Sequence, residues 1–206
     1  MNIAIKFCGV TAPEDAVAAI EAGADFIGLN FSVQSVRCIS LERARVIIGA
    51  VPDFHNFTGV FVEQTSDEVD SIRRELDLAH RQTYSTPWSA GSIAAFRVRS
   101  ADDIAQIRAL LAMSAAPMAV LIDSYVAGAM GGTGHKAPWE LLAGQDFGVP
   151  LILAGGLTPD NVAEAIRLVK PWGVDVASGI ESSPGRKDAG KMRAFVAAVR
   201  DVERAL

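Results

Sequence analysis

The chain has 206 residues, half of them hydrophobic and 21% charged, which suits a single domain with a sizeable core. Lys and Arg number 19 against 24 Asp and Glu, and the net charge of -5 without any basic block argues against a nucleic-acid partner. Apolar runs stop at about ten residues, too short to span a bilayer, and MNIAIKFCGV has no signal-peptide pattern. Two cysteines, Cys8 and Cys38, make neither a disulfide framework nor a metal clamp. The expectation is a reduced, cytosolic, single-domain protein over residues 1–206.

Short apolar runs of the kind found in strands buried on both faces recur along the chain. They lie at Ile3–Phe7, Phe26–Leu29, Thr58–Val62, Ile93–Val98, Met118–Ile122, Leu151–Ala154 and Val174–Ala177, with a weaker eighth at Leu76–Ala79. Helices are predicted between most of them. Thr11 stands before Pro13, Glu14 and Asp15, which reads as an N-cap with acids in the first turn. Ser40 precedes Leu41–Ala50, Thr65 to Glu68 open the next helix, and Ser100 with Asp102 and Asp103 opens another. Thr158-Pro159-Asp160 leads into Asn161–Val169, and Lys187–Ala205 is the last helix.

Eight strand–helix units of roughly 26 residues fit a small closed (β/α)8 barrel. An open doubly wound sheet is the rival, and it usually has fewer strands. The fourth unit is irregular. From His80 to Ser92 the chain carries Pro87 and Gly91 and no helical period, so the fourth helix is predicted to be shortened or missing.

In a barrel, reactive groups gather where strands end. That rule selects Lys6 and Cys8 after strand 1, Asn30 after strand 2 and Asp123 after strand 6. Cys8 reads either as a buried structural cysteine or as a thiolate base, with Lys6 on the same strand face to favour its charge. Asp123 ends a very apolar run; it is either a turn cap or a carboxyl that desolvation keeps protonated. Asp175, inside strand 8, needs a partner if it faces the barrel. Gly155-Gly156-Leu157 after strand 7 and Ser178-Gly179 after strand 8 suit a phosphate cup of backbone amides, the bland alternative being two tight turns. Gly128, Gly131, Gly132 and Gly134 form either a lid or a plain flexible loop. Arg37 is a carboxylate grip or a solvated surface residue, and the three histidines have no metal-ligand spacing.

The motifs taken together resemble the phosphoribosylanthranilate isomerase family. They are Lys6-Phe7-Cys8-Gly9-Val10-Thr11, Ala22 to Asp25, Asp123-Ser124 followed by Gly131 to Gly134, Trp139, Ala154 to Val162, Asp175 to Glu181 and Pro184 to Asp188. The resemblance implies a barrel that performs an Amadori rearrangement in tryptophan biosynthesis without metal or cofactor. It also implies a small phosphorylated substrate and a monomer or homodimer. By position it makes Asp123 the general acid and Cys8 the general base. Lys6, Arg37 and Gly132 fall on the substrate, with Arg37 on the anthranilate carboxylate, and Gly155, Gly156, Leu157, Ser178 and Gly179 fall on the phosphate. Three departures stand out. His80 to Thr83 replaces the family's Gln-Leu-His-Gly, Ala94 replaces a common Lys, and loop 2 reads Gln34-Ser35-Val36-Arg37. Those departures keep two other readings open, a diverged isomerase of another phosphorylated aminosugar and a non-catalytic phospholigand-binding barrel.

Overall fold

The computed structural model describes residues 2–85, 87–123 and 139–205. Eight parallel strands hydrogen-bond in sequence order and close on themselves. They are β1 (Ala4–Cys8), β2 (Phe26–Asn30), β3 (Phe57–Phe61), β4 (His80–Thr83), β5 (Ser92–Arg97), β6 (Ala119–Asp123), β7 (Leu151–Ala154) and β8 (Gly173–Val176). Around them lie α1 (Pro13–Ala22), α2 (Leu41–Gly49), α3 (Ser66–Glu75), α4 (Ala101–Ala112), α5 (Val162–Val169) and α6 (Ala189–Ala205). A short antiparallel pair, β9 (Glu181–Ser183) and β10 (Arg186–Lys187), follows β8. The expected (β/α)8 barrel is present.

Local chemistry sets most helix starts. The Ser40 side chain accepts from the Arg43 amide, and Thr65 with Glu68 and Ser100 with Asp103 form reciprocal capping boxes. Thr11 is an exception: α1 starts from Ala12 without a side-chain cap, and the Thr11 hydroxyl donates to the Gly185 carbonyl. Lys187 belongs to β10 rather than to the last helix, whose first turn receives the Asp188 carboxylate on the Lys191 amide.

The fourth unit departs most from the hydropathy pattern. Its strand is the polar stretch His80–Thr83, not Leu76–Ala79. Leu76 and Asp77 close α3, with Asp77 at φ 49°, and Leu78 is buried just before the strand. A polar strand survives here because its outward group has partners: Arg81 donates to Ser92, to Ser89 and to Asp70 on α3. No helix is found between β4 and β5 among the described residues. The Trp88 ring, 3% exposed and edge-on to Phe96 at 5.4 Å, packs against the face of β5 that such a helix would cover.

The barrel interior has two halves of different character. On β5–β7 it is filled by Ile93, Ala95, Ala119, Leu121, Ile152 and Ala154. On the β8–β1–β2 side it is polar, with Lys6 and Asp175 buried together. The apolar half is a packed floor. The polar half holds charged groups beneath the C-terminal mouth.

Candidate active site

All eight strands point their C-terminal ends at one mouth, so strand-end residues far apart in sequence meet there. A cavity of about 450 Å³ opens at that mouth, and Cys8, Asp123, Gly155, Gly156, Leu157 and Ser178 all line it. Gly179 supports the wall from behind. A Cβ on Gly179 would collide with the Leu157 carbonyl oxygen and sit 2.9 Å from its carbon, so the two glycine loops touch only because this residue has no side chain. Gly155 and Gly156 have φ of 93° and 65°, in the left-handed region that glycine tolerates. Asn161 ties the first loop down, its amide nitrogen donating to the Gly156 carbonyl and its oxygen accepting from the Thr158 amide.

Lys6 lies two residues deeper than Cys8 on β1 and is absent from the cavity wall. Its ammonium donates to Asp175 Oδ1 at 2.6 Å, which gives Asp175 the partner it needs. The expectation of a direct substrate contact at Lys6 therefore meets a side chain 1% exposed and already paired. Gly28 on β2 makes room for this arrangement, since a Cβ there would stand 3.0 Å from Cys8 Sγ and 3.2 Å from Lys6 Nζ. Burial pushes the Cys8 thiol up from its ordinary value; the Lys6 charge works against that and the Asp175 charge adds to it. Lys6 therefore moderates the burial effect and does not reverse it.

Arg37 reaches the wall from the loop after β2. Its Nε and Nη2 donate to the two carboxylate oxygens of Glu181 at 2.6 and 2.8 Å, a bidentate fork. Any further carboxylate must use the other edge of the guanidinium. Gly9, at φ 70°, lies against the Arg37 stem, whose Cβ and Cγ would be 3.2 Å from an added Cβ. Gly132 and the rest of the glycine-rich segment after β6, lid or loop, lie outside the described residues.

Ser32, Gln82, Tyr84 and Arg97 also line the wall, and the sequence assigned none of them a role there. The misplaced fourth strand hid Gln82 and Tyr84. Gln82 is 3% exposed, and its Oε1 has no hydrogen-bond partner among the described residues. Burial first, then the Asp123 charge, pushes the Tyr84 phenol up to about 12, so it keeps its proton. Arg97 stands beside Asp123 in the β5–β6 register and 5.9 Å from the Tyr84 ring centre. The alternation Ile93, Ala95, Arg97 carried the signal for this last residue, since it places Arg97 on the inner face at the strand end.

The fold and the cavity at the strand ends define a (β/α)8-barrel enzyme whose site is built on its βα loops. A sequence model of the family described as N-(5'phosphoribosyl)anthranilate (PRA) isomerase matches residues 5–198, and the chain belongs to that family. The N-(5'-phosphoribosyl)anthranilate isomerase of Pseudomonas fluorescens is 45% identical over 204 residues, covering 95% of this chain and 97% of its own. That of Prosthecochloris aestuarii is 42% identical, with 97% and 95% covered. Among solved structures, phosphoribosyl anthranilate isomerase from Thermotoga maritima superposes with a TM-score of 0.85 at 30% identity, covering 97% of this chain and all of that one. A structure of phosphoribosyl anthranilate isomerase in complex with reduced 1-(o-carboxyphenylamino)-1-deoxyribulose 5-phosphate superposes with a TM-score of 0.80 at 28% identity, covering 97% of this chain and all of that one. No helix among the described residues is long and apolar enough to cross a membrane.

Proposed function

We infer that this chain is a phosphoribosylanthranilate isomerase, converting N-(5-phosphoribosyl)anthranilate to 1-(2-carboxyphenylamino)-1-deoxyribulose 5-phosphate. The observation that carries the reading is that Cys8 and Asp123 reach one cavity from β1 and β6, with the glycine loops of β7 and β8 in the same wall. The reaction needs one acid and one base around a sugar. Asp123 gives its proton to the furanose ring oxygen, the C1–O bond breaks, and the nitrogen lone pair forms an iminium. Cys8 then takes the proton from C2, and the electrons of that bond neutralise the iminium to an enolamine. Tautomerisation delivers the ketone. Gly155, Gly156, Leu157, Ser178 and Gly179 receive the phosphate, Arg37 the anthranilate carboxylate, and Lys6 acts from beneath Cys8.

Complementation of a tryptophan auxotroph lacking this step is the direct test. Growth is expected. Failure to grow despite ample soluble protein would favour a diverged or non-catalytic barrel.

The raised Cys8 thiol also fixes the shape of the pH profile. The productive pair is a thiolate with a protonated Asp123, which carries the same number of protons as a thiol with a carboxylate. The ratio of these two forms does not change with pH. Once the single shared proton is lost, no acid remains, so kcat/KM falls on the alkaline side. The thiol governs that limb, and the fall is expected above the ordinary thiol value of roughly 8.5. Initial rates across neutral and alkaline pH at low substrate check this. An alkaline fall centred below neutrality would assign the limb to a different group.

A further inference from the structure

Glu181 and Lys187 have no part in the acid–base steps, yet both are charged and buried beside the site. Glu181 is 7% exposed and holds the Arg37 fork. The Lys187 ammonium, its side chain fully buried, donates to Glu181 Oε1 and to the Ala177 carbonyl, each at 3.0 Å. Ala177 is the residue before the Ser178–Ile180 turn, so Lys187 joins the phosphate-side loop to Arg37 through one carboxylate. Lys191 fastens the same corner by donating to the Glu181 carbonyl at 2.6 Å.

The arithmetic of charge matters here. A lone Arg–Glu fork is neutral, and its guanidinium would offer little to a third, anionic group. With Lys187 included, one carboxylate lies between two cations, and the cluster keeps one positive charge. Resting on the reading that Arg37 receives the anthranilate carboxylate, we propose that Glu181 and Lys187 are positioning residues. Glu181 aims the guanidinium by fixing its Nε–Nη2 edge, leaving the other edge for substrate, and Lys187 preserves the net positive charge. Burial works against both charges. Even so, Arg37 and Lys187 hold the Glu181 carboxyl below its usual range, while burial leaves Lys187 somewhat lowered despite Glu181. A fork of this kind has planar specificity that a lysine at position 37 would lack.

The test separates the carboxylate end of the substrate from its phosphate end. Glu181→Gln keeps the shape of the side chain and loses the charge; KM for phosphoribosylanthranilate is expected to rise roughly tenfold or more with kcat changed by no more than about threefold. Inorganic phosphate, as a competitive inhibitor, should keep its affinity. Because Glu181→Gln strands a buried ammonium and can unfold the corner, the double variant Glu181→Gln/Lys187→Met removes both charges and should show the same rise in KM. A wild-type KM in a folded, phosphate-binding double variant overturns the proposal. Parallel loss of phosphate and substrate affinity in folded Glu181→Gln, where the Lys187 tie to Ala177 remains, also overturns it, since the pair would then be merely structural. Arg37→Ala is the reference. If Arg37→Ala leaves KM unchanged, the carboxylate reading itself fails and the proposal falls with it; if only the Glu181 variants are silent, the positioning role alone fails.

Discussion

Cys8→Ala and Asp123→Asn are each expected to reduce turnover by roughly 10²–10⁴-fold, the usual contribution of a general acid or base. The fold should survive both changes. Cys8 and Asp123 end their strands at the cavity, and neither lies in the apolar floor on β5–β7. Asparagine also matches the size of the carboxyl that it replaces. Inorganic phosphate should bind both variants as it binds the parent, because the glycine loops after β7 and β8 are untouched. The measurement is kcat and KM on purified protein, alongside thermal melting and a phosphate inhibition constant. Near-parental turnover in either variant would remove that residue from the mechanism. The two losses should also be far from additive. Once the ring cannot open, removing the base has little left to slow.

What could be read in the chain beforehand follows from where the information lies. Seven strands announce themselves because a parallel strand covered on both faces must be apolar throughout, as in Val120-Leu121-Ile122. Strand-end position alone selects Cys8 and Asp123 as candidates, and both line the cavity. The fourth strand was misplaced because hydropathy measures apolar cover, and His80–Thr83 has little of it. Its outward arginine is satisfied by Asp70 from α3 and by Ser89 and Ser92 beyond the turn, partners that no local window contains. The same error concealed Gln82 and Tyr84 in the cavity wall. Charge pairing was the other blind spot. Lys6 meets Asp175 and Arg37 meets Glu181 across separations of 169 and 144 residues, so each looked like an available cation until the barrel closed. The Gly155-Gly156 and Gly179 signals survive because their cause is backbone geometry, which a glycine states directly.

That geometry yields the second large effect. Gly156→Val is expected to weaken inorganic phosphate and ribose 5-phosphate together, by roughly tenfold or more. The reason is dihedral: Gly156 sits at φ 65°, and an added Cβ would meet nothing within 4 Å, so the strain arises from the backbone and not from crowding at Cβ. A β-branched residue is strained there by about 1–2 kcal/mol. The loop relieves that strain by turning the peptide, which moves the amides away from the anion. Gly148→Val is the control. Gly148 has φ 71° and open space as well, but it precedes the opposite end of β7 from the cup. It should lose comparable stability and no phosphate affinity. Gly179→Ala fails for a different reason, since its Cβ would strike the Leu157 carbonyl and push the two loops apart. Both stability and phosphate affinity should then drop, the former by the roughly 1–3 kcal/mol typical of overpacking. Isothermal titration with inorganic phosphate, set beside melting curves, sorts the three variants. Equal phosphate affinity in Gly156→Val and Gly148→Val would show that the anion binds somewhere other than this cup.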